Sequence, residues 1–162
     1  MKALVIAIVA FTFPVYAQQA VLLVRHAELQ GAAMAEPKHL PLSEAGEARA
    51  ERLAAMLKDA SIGAIYVTDF VRTQKTAEPL ARAIGKEPTV LPKGDPKELV
   101  ARLRANHARE TVLLVGHTDT LPGLLGALGH PADIKIEAPD YGNLFVVVPR
   151  PEDAPAFMRL RY

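Results

Sequence analysis

The sequence predicts an α/β protein, a three-layer α/β/α sandwich around a mainly parallel β-sheet. Short unbroken apolar runs, typical of strands buried on both faces, alternate with segments whose apolar residues repeat at helical spacing. The chain has 162 residues, of which 50% are hydrophobic and 23% charged. It is therefore long enough to close one core and too apolar to be disordered. Because no linker or low-complexity stretch divides it, we expect one domain.

The strands are indicated by apolar runs between breaking residues. Four runs are expected to form the buried, mainly parallel part of the sheet, and Gly63 is expected to break the chain before the second of them. Two late runs are expected at the sheet edge. The six predicted strands span residues 20–24, 64–67, 89–91, 111–115, 143–148 and 156–160.

The helices are indicated by apolar residues that repeat at spacings of three and four, and by their end signals. Ser43 is a suitable N-cap for the first helix, and Gly85 ends the second. Asp95 and Pro96 open the third, because proline suits the first helical turn. The fourth is predicted near residues 121–128 and ends before a glycine. The apolar positions of the first three helices are Ala50, Leu53, Ala54 and Leu57, then Ala77, Leu80, Ala81 and Ile84, then Leu99, Val100 and Leu103.

The first residues are typical of a secretory signal peptide. Lys2 precedes an apolar run over residues 3–13, and Val15 and Ala17 then have the spacing of small residues at a cleavage site. These are the parts of such a signal, and the run is shorter than the roughly 20 residues that span a membrane. We expect cleavage after Ala17, a domain over residues 18–162, a periplasmic or secreted location, and no membrane contact after cleavage. An N-terminal strand or anchor helix is the alternative.

Composition excludes several functional classes. The absence of cysteine excludes disulfides, cysteine-ligated zinc, iron–sulfur clusters and thiol catalysis. A net charge of +1 gives no general attraction to nucleic acid, and we expect no nucleic-acid partner. Any affinity for anions must therefore come from a local cluster.

A local repeat marks such a cluster. Residues 21–26 (VLLVRH) and 112–117 (VLLVGH) differ at a single position, and each is a strand followed by a histidine. Ligands bind outside the carboxyl ends of parallel strands. Strand ends are thus expected to bring Arg25, His26, Arg72 and His117 to one edge of the sheet.

Two arginines and two histidines are suited to phosphoryl transfer without a metal. Arginine binds phosphate oxygens in pairs. A neutral imidazole can attack phosphorus when its other ring nitrogen is held by a hydrogen bond. The departing alkoxide needs a proton, so one carboxylic acid is expected near the pocket mouth.

Four segments resemble the histidine phosphatase superfamily, to which the cofactor-dependent phosphoglycerate mutases belong. The resemblance runs in the family's order from about residue 20 to residue 129. Its segments are Leu23-Val24-Arg25-His26-Ala27-Glu28, Leu42-Ser43-Glu44-Ala45-Gly46, Thr68-Asp69-Phe70-Val71-Arg72-Thr73-Gln74-Lys75-Thr76-Ala77 and Val115-Gly116-His117-Thr118-Asp119-Thr120.

The resemblance implies a phosphoglycerate mutase-like fold, a catalytic His26 that attacks phosphorus, and phosphate binding by Arg25, Arg72 and His117. It implies a metal-independent histidine acid phosphatase-type phosphomonoesterase with no cofactor. The substrate is expected to be a phosphorylated small molecule or a phosphorylated protein side chain. The short spacings after His26 and Arg72 leave no room for a large helical lid, which indicates the small branch of the family.

The sequence departs from the family pattern at two points. Ala27 replaces the usual glycine, and the family's acid has no unmistakable counterpart. Asp95, at the opening of a helix, lies about where the family places its acid and is the predicted proton donor. Glu28 and Asp119 are the rivals, since each lies two residues from a pocket histidine.

Two other functions stay open. His26, Glu28, His117 and Asp119 could instead hold zinc or another divalent ion, although two arginines would repel it, and no metal is expected. An exported anion-binding module that keeps the pocket and lacks turnover is the alternative from another functional class.

Overall fold

The sheet has six strands and is mainly parallel, as the sequence predicts. The structure, a computed structural model, describes residues 20–31, 36–150 and 153–162, so the predicted signal peptide lies outside the described residues. The strands are β1 (Val21–Arg25), β2 (Ile62–Thr68), β3 (Thr89–Leu91), β4 (Thr111–Gly116), β5 (Asn143–Val148) and β6 (Ala156–Arg161). Their order in the sheet is β3-β2-β4-β1-β5-β6. The first four are parallel neighbours, and β5 and β6 are added antiparallel at one edge.

Four helices cover the two faces of the sheet. They are α1 (Glu44–Leu57), α2 (Val71–Ile84), α3 (Pro96–Asn106) and α4 (Leu121–Ala127). One apolar cluster joins α1 and α2 to one face, and a second joins α3 and α4 to the other. This confirms the three-layer α/β/α sandwich. No helix in the described ranges is long and apolar enough to cross a membrane.

The predicted helix ends are confirmed. The Ser43 hydroxyl accepts a hydrogen bond from the Gly46 amide at 3.1 Å and so caps α1. Gly85 ends α2 with φ 65°, a left-handed conformation that glycine adopts without strain. Asp95 caps α3 and accepts a hydrogen bond from the Lys97 amide at 2.8 Å.

Gly63 does not break the chain as predicted; it lies inside β2. Pairing with β4 shifts in register between Ile62 and Ala64, so Gly63 occupies an irregularity that lets the strand begin earlier. A β-carbon at this position would meet the Glu110 side chain at 2.7 Å. A bulge in a strand and a break before one share the same local signal, and pairing with β4 decides between them.

The close approach of α1 to the end of β1 fixes the loop that carries the histidine of the first repeat. The Ser43 amide donates to the Glu28 carbonyl at 2.9 Å. A β-carbon on Gly46 would collide with that same carbonyl oxygen. A bridge between Leu29 and Leu42 closes the loop above it. The first helical turn is therefore pressed directly onto the backbone next to the predicted site.

Candidate active site

The two predicted histidines lie side by side at the carboxyl edge of the sheet. Because β1 and β4 are parallel neighbours with Arg25 opposite Gly116, the residue after each strand emerges at the same place. The His26 amide donates to the Gly116 carbonyl at 2.9 Å, and the rings of His26 and His117 are 5.3 Å apart between centroids. Their exposed fractions are 5% and 3%.

The hydrogen bonds of His26 leave one nitrogen free for attack. Its Nδ1 lies 2.8 Å from the carbonyl oxygen of Ala27. Because a carbonyl oxygen can only accept, Nδ1 carries the proton and Nε2 keeps its lone pair. Burial lowers the pKa of His26 to about 4, and the charges of Arg72 and Arg25 act in the same direction, whereas the Ala27 contact opposes them. The imidazole is therefore neutral at pH 7.

The loop behind His26 is held by a buried threonine. The Ala27 amide donates to the Thr76 hydroxyl at 2.9 Å, and that hydroxyl donates to the Arg72 carbonyl at 2.7 Å. Ala27 is fully buried, with 0% exposed. Thr76 belongs to the third resembling segment, so the structure gives that threonine a positioning contact with the first.

His117 is held at its backbone and at one ring nitrogen. Its amide donates to the Thr120 hydroxyl at 2.9 Å, and its Nε2 lies 2.8 Å from the Thr68 hydroxyl. Nδ1 is buried and has no hydrogen-bond partner among the described residues. Burial lowers the pKa of His117 to about 3, and Lys93 and Arg72 lower it further.

Each predicted arginine is oriented by backbone carbonyls and stacked on an aromatic ring. Arg25 donates to the carbonyls of Glu137 and Ala138 at 3.3 and 2.5 Å, and its guanidinium carbon lies 4.0 Å from the centre of the Tyr141 ring. These contacts fix the plane of the guanidinium without neutralising its charge.

Arg72 lies in the first turn of α2 and has the same kind of support. It donates to the Pro37 carbonyl at 2.7 Å, and its guanidinium carbon lies 4.3 Å from the centre of the Phe70 ring. The Phe70 ring is in turn 5.0 Å from the His117 ring. Arg72 and His117 therefore both lie against the Phe70 ring.

Three buried nitrogen atoms at this edge lack hydrogen-bond partners within the described ranges. They are Nε of Arg25, Nε of Arg72 and Nδ1 of His117. Unpaired buried donors are costly and rare. The two arginine N–H groups are donors that a bound anion would satisfy. They accompany the free Nε2 of His26 at the edge of the sheet where the sequence predicts a phosphoryl group.

The three candidate acids lie in different environments. Glu28 is bound by Arg49, whose Nε and Nη2 lie 2.5 to 2.9 Å from its carboxylate oxygens. Burial would raise the pKa of Glu28, but the hydrogen bond from Arg49, a backbone hydrogen bond and the charges of Arg49 and Arg52 together lower it. Asp95 is exposed and caps α3. No hydrogen bond connects it to either imidazole, and its role as proton donor stays a prediction.

Asp119 is the candidate acid whose charge acts on the predicted site residues. Its field acts on both His117 and Arg72. Its carboxylate pairs with Lys93 Nζ at 2.9 Å. Burial would raise the pKa of Asp119, but this ion pair lowers it.

The structure does not assemble the alternative metal site. Glu28, one of its four ligands, is occupied by Arg49. In the part of the chain that the structure describes, no three histidine or carboxylate side chains are arranged to hold a metal ion.

Lys93, Phe70 and Tyr141 complete the site. Lys93 follows β3, and its charge lowers the pKa of both imidazoles. Since it lies just beyond a parallel strand end, the rule that locates Arg25 and His117 could have located it too. Tyr141, which sequence alone explains equally well as part of a turn, has its ring centroid 6.0 Å from that of His26.

Fold and site together define an α/β protein with two arginines and two neutral imidazoles at the carboxyl edge of its sheet. Residues 21–93 match the family model described as histidine phosphatase superfamily (branch 1). Over these residues, which are fewer than half of the chain, the sequence is similar to the histidine phosphatase superfamily. No curated protein matches it in sequence.

Solved structures with the same fold include three phosphatases. The protein histidine phosphatase SixA in complex with tungstate has a TM-score of 0.70 at 19% identity, over 88% of this chain and 96% of that one. A mycobacterial glucosyl-3-phosphoglycerate phosphatase has a TM-score of 0.66 at 16% identity, over 88% and 97%. A phosphoserine phosphatase mutant from Entamoeba histolytica, in complex with phosphoserine, has a TM-score of 0.66 at 16% identity, over 86% and 95%.

Proposed function

We propose that this protein is a metal-independent phosphomonoester hydrolase that works through a phosphohistidine on His26. One observation carries the proposal: a buried imidazole keeps an unprotonated Nε2 beside three unpartnered groups on Arg25, Arg72 and His117. A neutral nucleophile beside fixed donors is what phosphoryl transfer requires.

The reaction proceeds in two displacements. His26 Nε2 attacks phosphorus, the bond to the leaving oxygen breaks, and that oxygen takes up a proton. Water then attacks the phosphohistidine, and inorganic phosphate leaves while His26 regains its lone pair. In both steps charge develops on the equatorial oxygens, where Arg25 and Arg72 stabilise it.

The substrate is a phosphorylated small molecule or protein side chain that enters an open site. α3 begins at Pro96, shortly after β3 ends at Leu91, so no helical lid is inserted there. An open site suits a hydrolase better than a mutase, which must shield its intermediate from water. The fold likeness to SixA makes phosphohistidine in a protein the first side-chain substrate to test.

The direct test uses purified protein with p-nitrophenyl phosphate in the presence of EDTA. We expect release of nitrophenol that survives chelation and is lost in His26→Ala. His39→Ala, which removes an exposed histidine, is the matched control and should retain activity. Tight phosphate binding without turnover would support the anion-binding module, and loss of activity with EDTA would support the metal site.

We also propose that residues 1–17 are removed on export and that the domain over residues 18–162 acts in the periplasm or outside the cell. The proposal rests on the order of charge, apolar run and small residues alone. N-terminal sequencing of protein recovered from the producing cells should begin at Gln18. A chain that keeps Met1 in the cytoplasm would contradict it.

A further inference from the structure

The hydroxyl chain behind His117 determines which of its ring nitrogens carries a proton. Thr73 Oγ1 lies 2.8 Å from the Phe70 carbonyl and 3.0 Å from the Thr68 carbonyl. A carbonyl can only accept, so the Thr73 hydroxyl proton lies on that side. If the proton pointed elsewhere, the contacts of Thr73 Oγ1 with these two carbonyl oxygens would have no proton between the oxygens.

The direction of the remaining hydrogen bonds then follows. Thr73 Oγ1 is 2.9 Å from Thr68 Oγ1, and with its own proton directed at a carbonyl it accepts from Thr68. Thr68 Oγ1 lies 2.8 Å from His117 Nε2. Because its only proton is donated to Thr73 Oγ1, it must accept the hydrogen bond from Nε2. Neutral His117 therefore carries its proton on Nε2 and presents a lone pair at Nδ1.

Nδ1 is also the nitrogen without a partner, since it is buried and makes no hydrogen bond to any described residue. A lone pair directed at a phosphoryl oxygen would be repulsive unless a proton lay between them. A phosphate monoester that enters as its monoanion brings that proton, because its second pKa is about 6.

We propose that His117 takes a proton from the bound substrate monoanion at Nδ1 and delivers it to the leaving oxygen, so that His117 is the acid of the reaction. The proposal rests on the proposed function. As His26 Nε2 bonds to phosphorus, the bond from phosphorus to the leaving oxygen breaks and the Nδ1 proton moves to that oxygen. In the second displacement, water attacks phosphorus and the bond from phosphorus to His26 Nε2 breaks. Nδ1 of His117 takes the proton that the attacking water gives up, and inorganic phosphate leaves.

The charges around His117 fit an acid that is protonated only while an anion is bound. Without an anion, burial and two nearby cations keep the ring neutral. The bound phosphoryl group adds negative charge next to the ring and reverses the local field. The charged and titratable groups that act on His117 from the surrounding segments are Lys93, Arg72, His26, Asp119 and Asp69.

The geometry also favours His117 over the carboxylates. Asp95 caps a helix, and Glu28 is bound by Arg49. Asp119 is exposed and paired with Lys93. An ionised carboxylate in an ion pair has no proton to give, whereas an imidazolium beside the phosphoryl group is correctly charged and placed.

The first test measures kcat/KM against pH, with unmodified protein, for p-nitrophenyl phosphate and benzyl phosphate. The aryl ester loses its second proton at lower pH, as ³¹P titration of each substrate will record. We expect the alkaline limb to follow the substrate and lie at lower pH for the aryl ester. If the alkaline limb of kcat/KM falls at the same pH for both esters, or if Asp95→Asn removes it, the proton belongs to the enzyme. Either result would overturn the inference.

The second test changes the hydrogen-bond acceptor of His117. Thr68→Val should slow the hydrolysis of benzyl phosphate by roughly 10²-fold, the lower end of a general acid's contribution. It should slow the hydrolysis of p-nitrophenyl phosphate far less, because nitrophenolate leaves without a proton. Thr68→Ser should restore the rate. Equal losses for both esters would reduce Thr68 to a structural role and overturn the inference. A phosphohistidine trapped on His26 in either case would leave the proposed function standing.

Discussion

Replacing His26 with asparagine should make the fold less sensitive to mild acid. The pKa of His26 is lowered from 6.5 to about 4 in the folded protein, so the unfolded chain binds a proton first as pH falls. Above pH 6.5 both states are neutral and nothing is lost. Between pH 6.5 and about 4 stability declines, and below about 4 this contribution stops growing.

The size of the effect follows from the shift. Each unit of pKa difference corresponds to about 1.4 kcal/mol, so His26 should cost about 2 kcal/mol of stability at pH 5 relative to pH 7.5. The full cost below pH 4 is about 3 kcal/mol. Burial, not a specific partner, is the main cause of the shift, so removal of the imidazole should remove the cost.

Urea unfolding at pH 7.5 and pH 5.0 measures it. Because the chain has no tryptophan, far-ultraviolet circular dichroism should follow the transition. The loss of unfolding free energy between the two pH values should be smaller by about 2 kcal/mol in His26→Asn than in the unmodified protein. His39→Asn, at an exposed position, should lose as much as the unmodified protein. Equal losses in His26→Asn and the unmodified protein would show that the folded His26 is not protected from protonation.

Three further substitutions test the contacts around the site. Gly46→Ala should destabilise the fold by about 1–3 kcal/mol in urea titrations, because its β-carbon would meet the Glu28 carbonyl, whereas Gly126→Ala meets nothing within 4 Å and should not. Tyr141→Leu should raise the Kd for inorganic phosphate about twofold or more by calorimetry, since stacking on Arg25 contributes about 0.5–2 kcal/mol. Tyr141→Phe should bind phosphate as the unmodified protein does, and the same weakening in both variants would contradict stacking. Glu28→Gln should lower the melting temperature while kcat for p-nitrophenyl phosphate stays within about twofold, and a collapse of kcat in a folded variant would make Glu28 a catalytic residue after all.

The sequence predicts that His26 and His117 lie close together because the ends of the two buried strands before them can be recognised in it. The apolar runs of β1 and β4 are unambiguous, and parallel pairing carries the residue after each run to the same edge. His26 and His117 could therefore be paired without coordinates. Their separation of 5.3 Å between ring centroids follows from the register of two neighbouring strands.

What sequence could not predict are contacts that depend on tertiary packing. The loop around Tyr141 reaches Arg25 only once β5 pairs with β1. The Glu28 carboxylate could face the pocket or Arg49 with equal local plausibility, and the approach of α1 decides for Arg49. The proton positions on the two histidines depend on neighbours from three separate segments. Spacing along the sequence does not predict these contacts.

The most direct test of the central claim is to find the phosphate on the enzyme itself. Protein mixed briefly with ³²P-labelled substrate should be quenched in alkali, where phosphohistidine survives, digested, and sequenced by mass spectrometry. We expect one acid-labile phosphoryl group on His26 and none in His26→Ala. A phosphoryl group on another residue, or rapid turnover with no phosphoenzyme at any quench time, would contradict it.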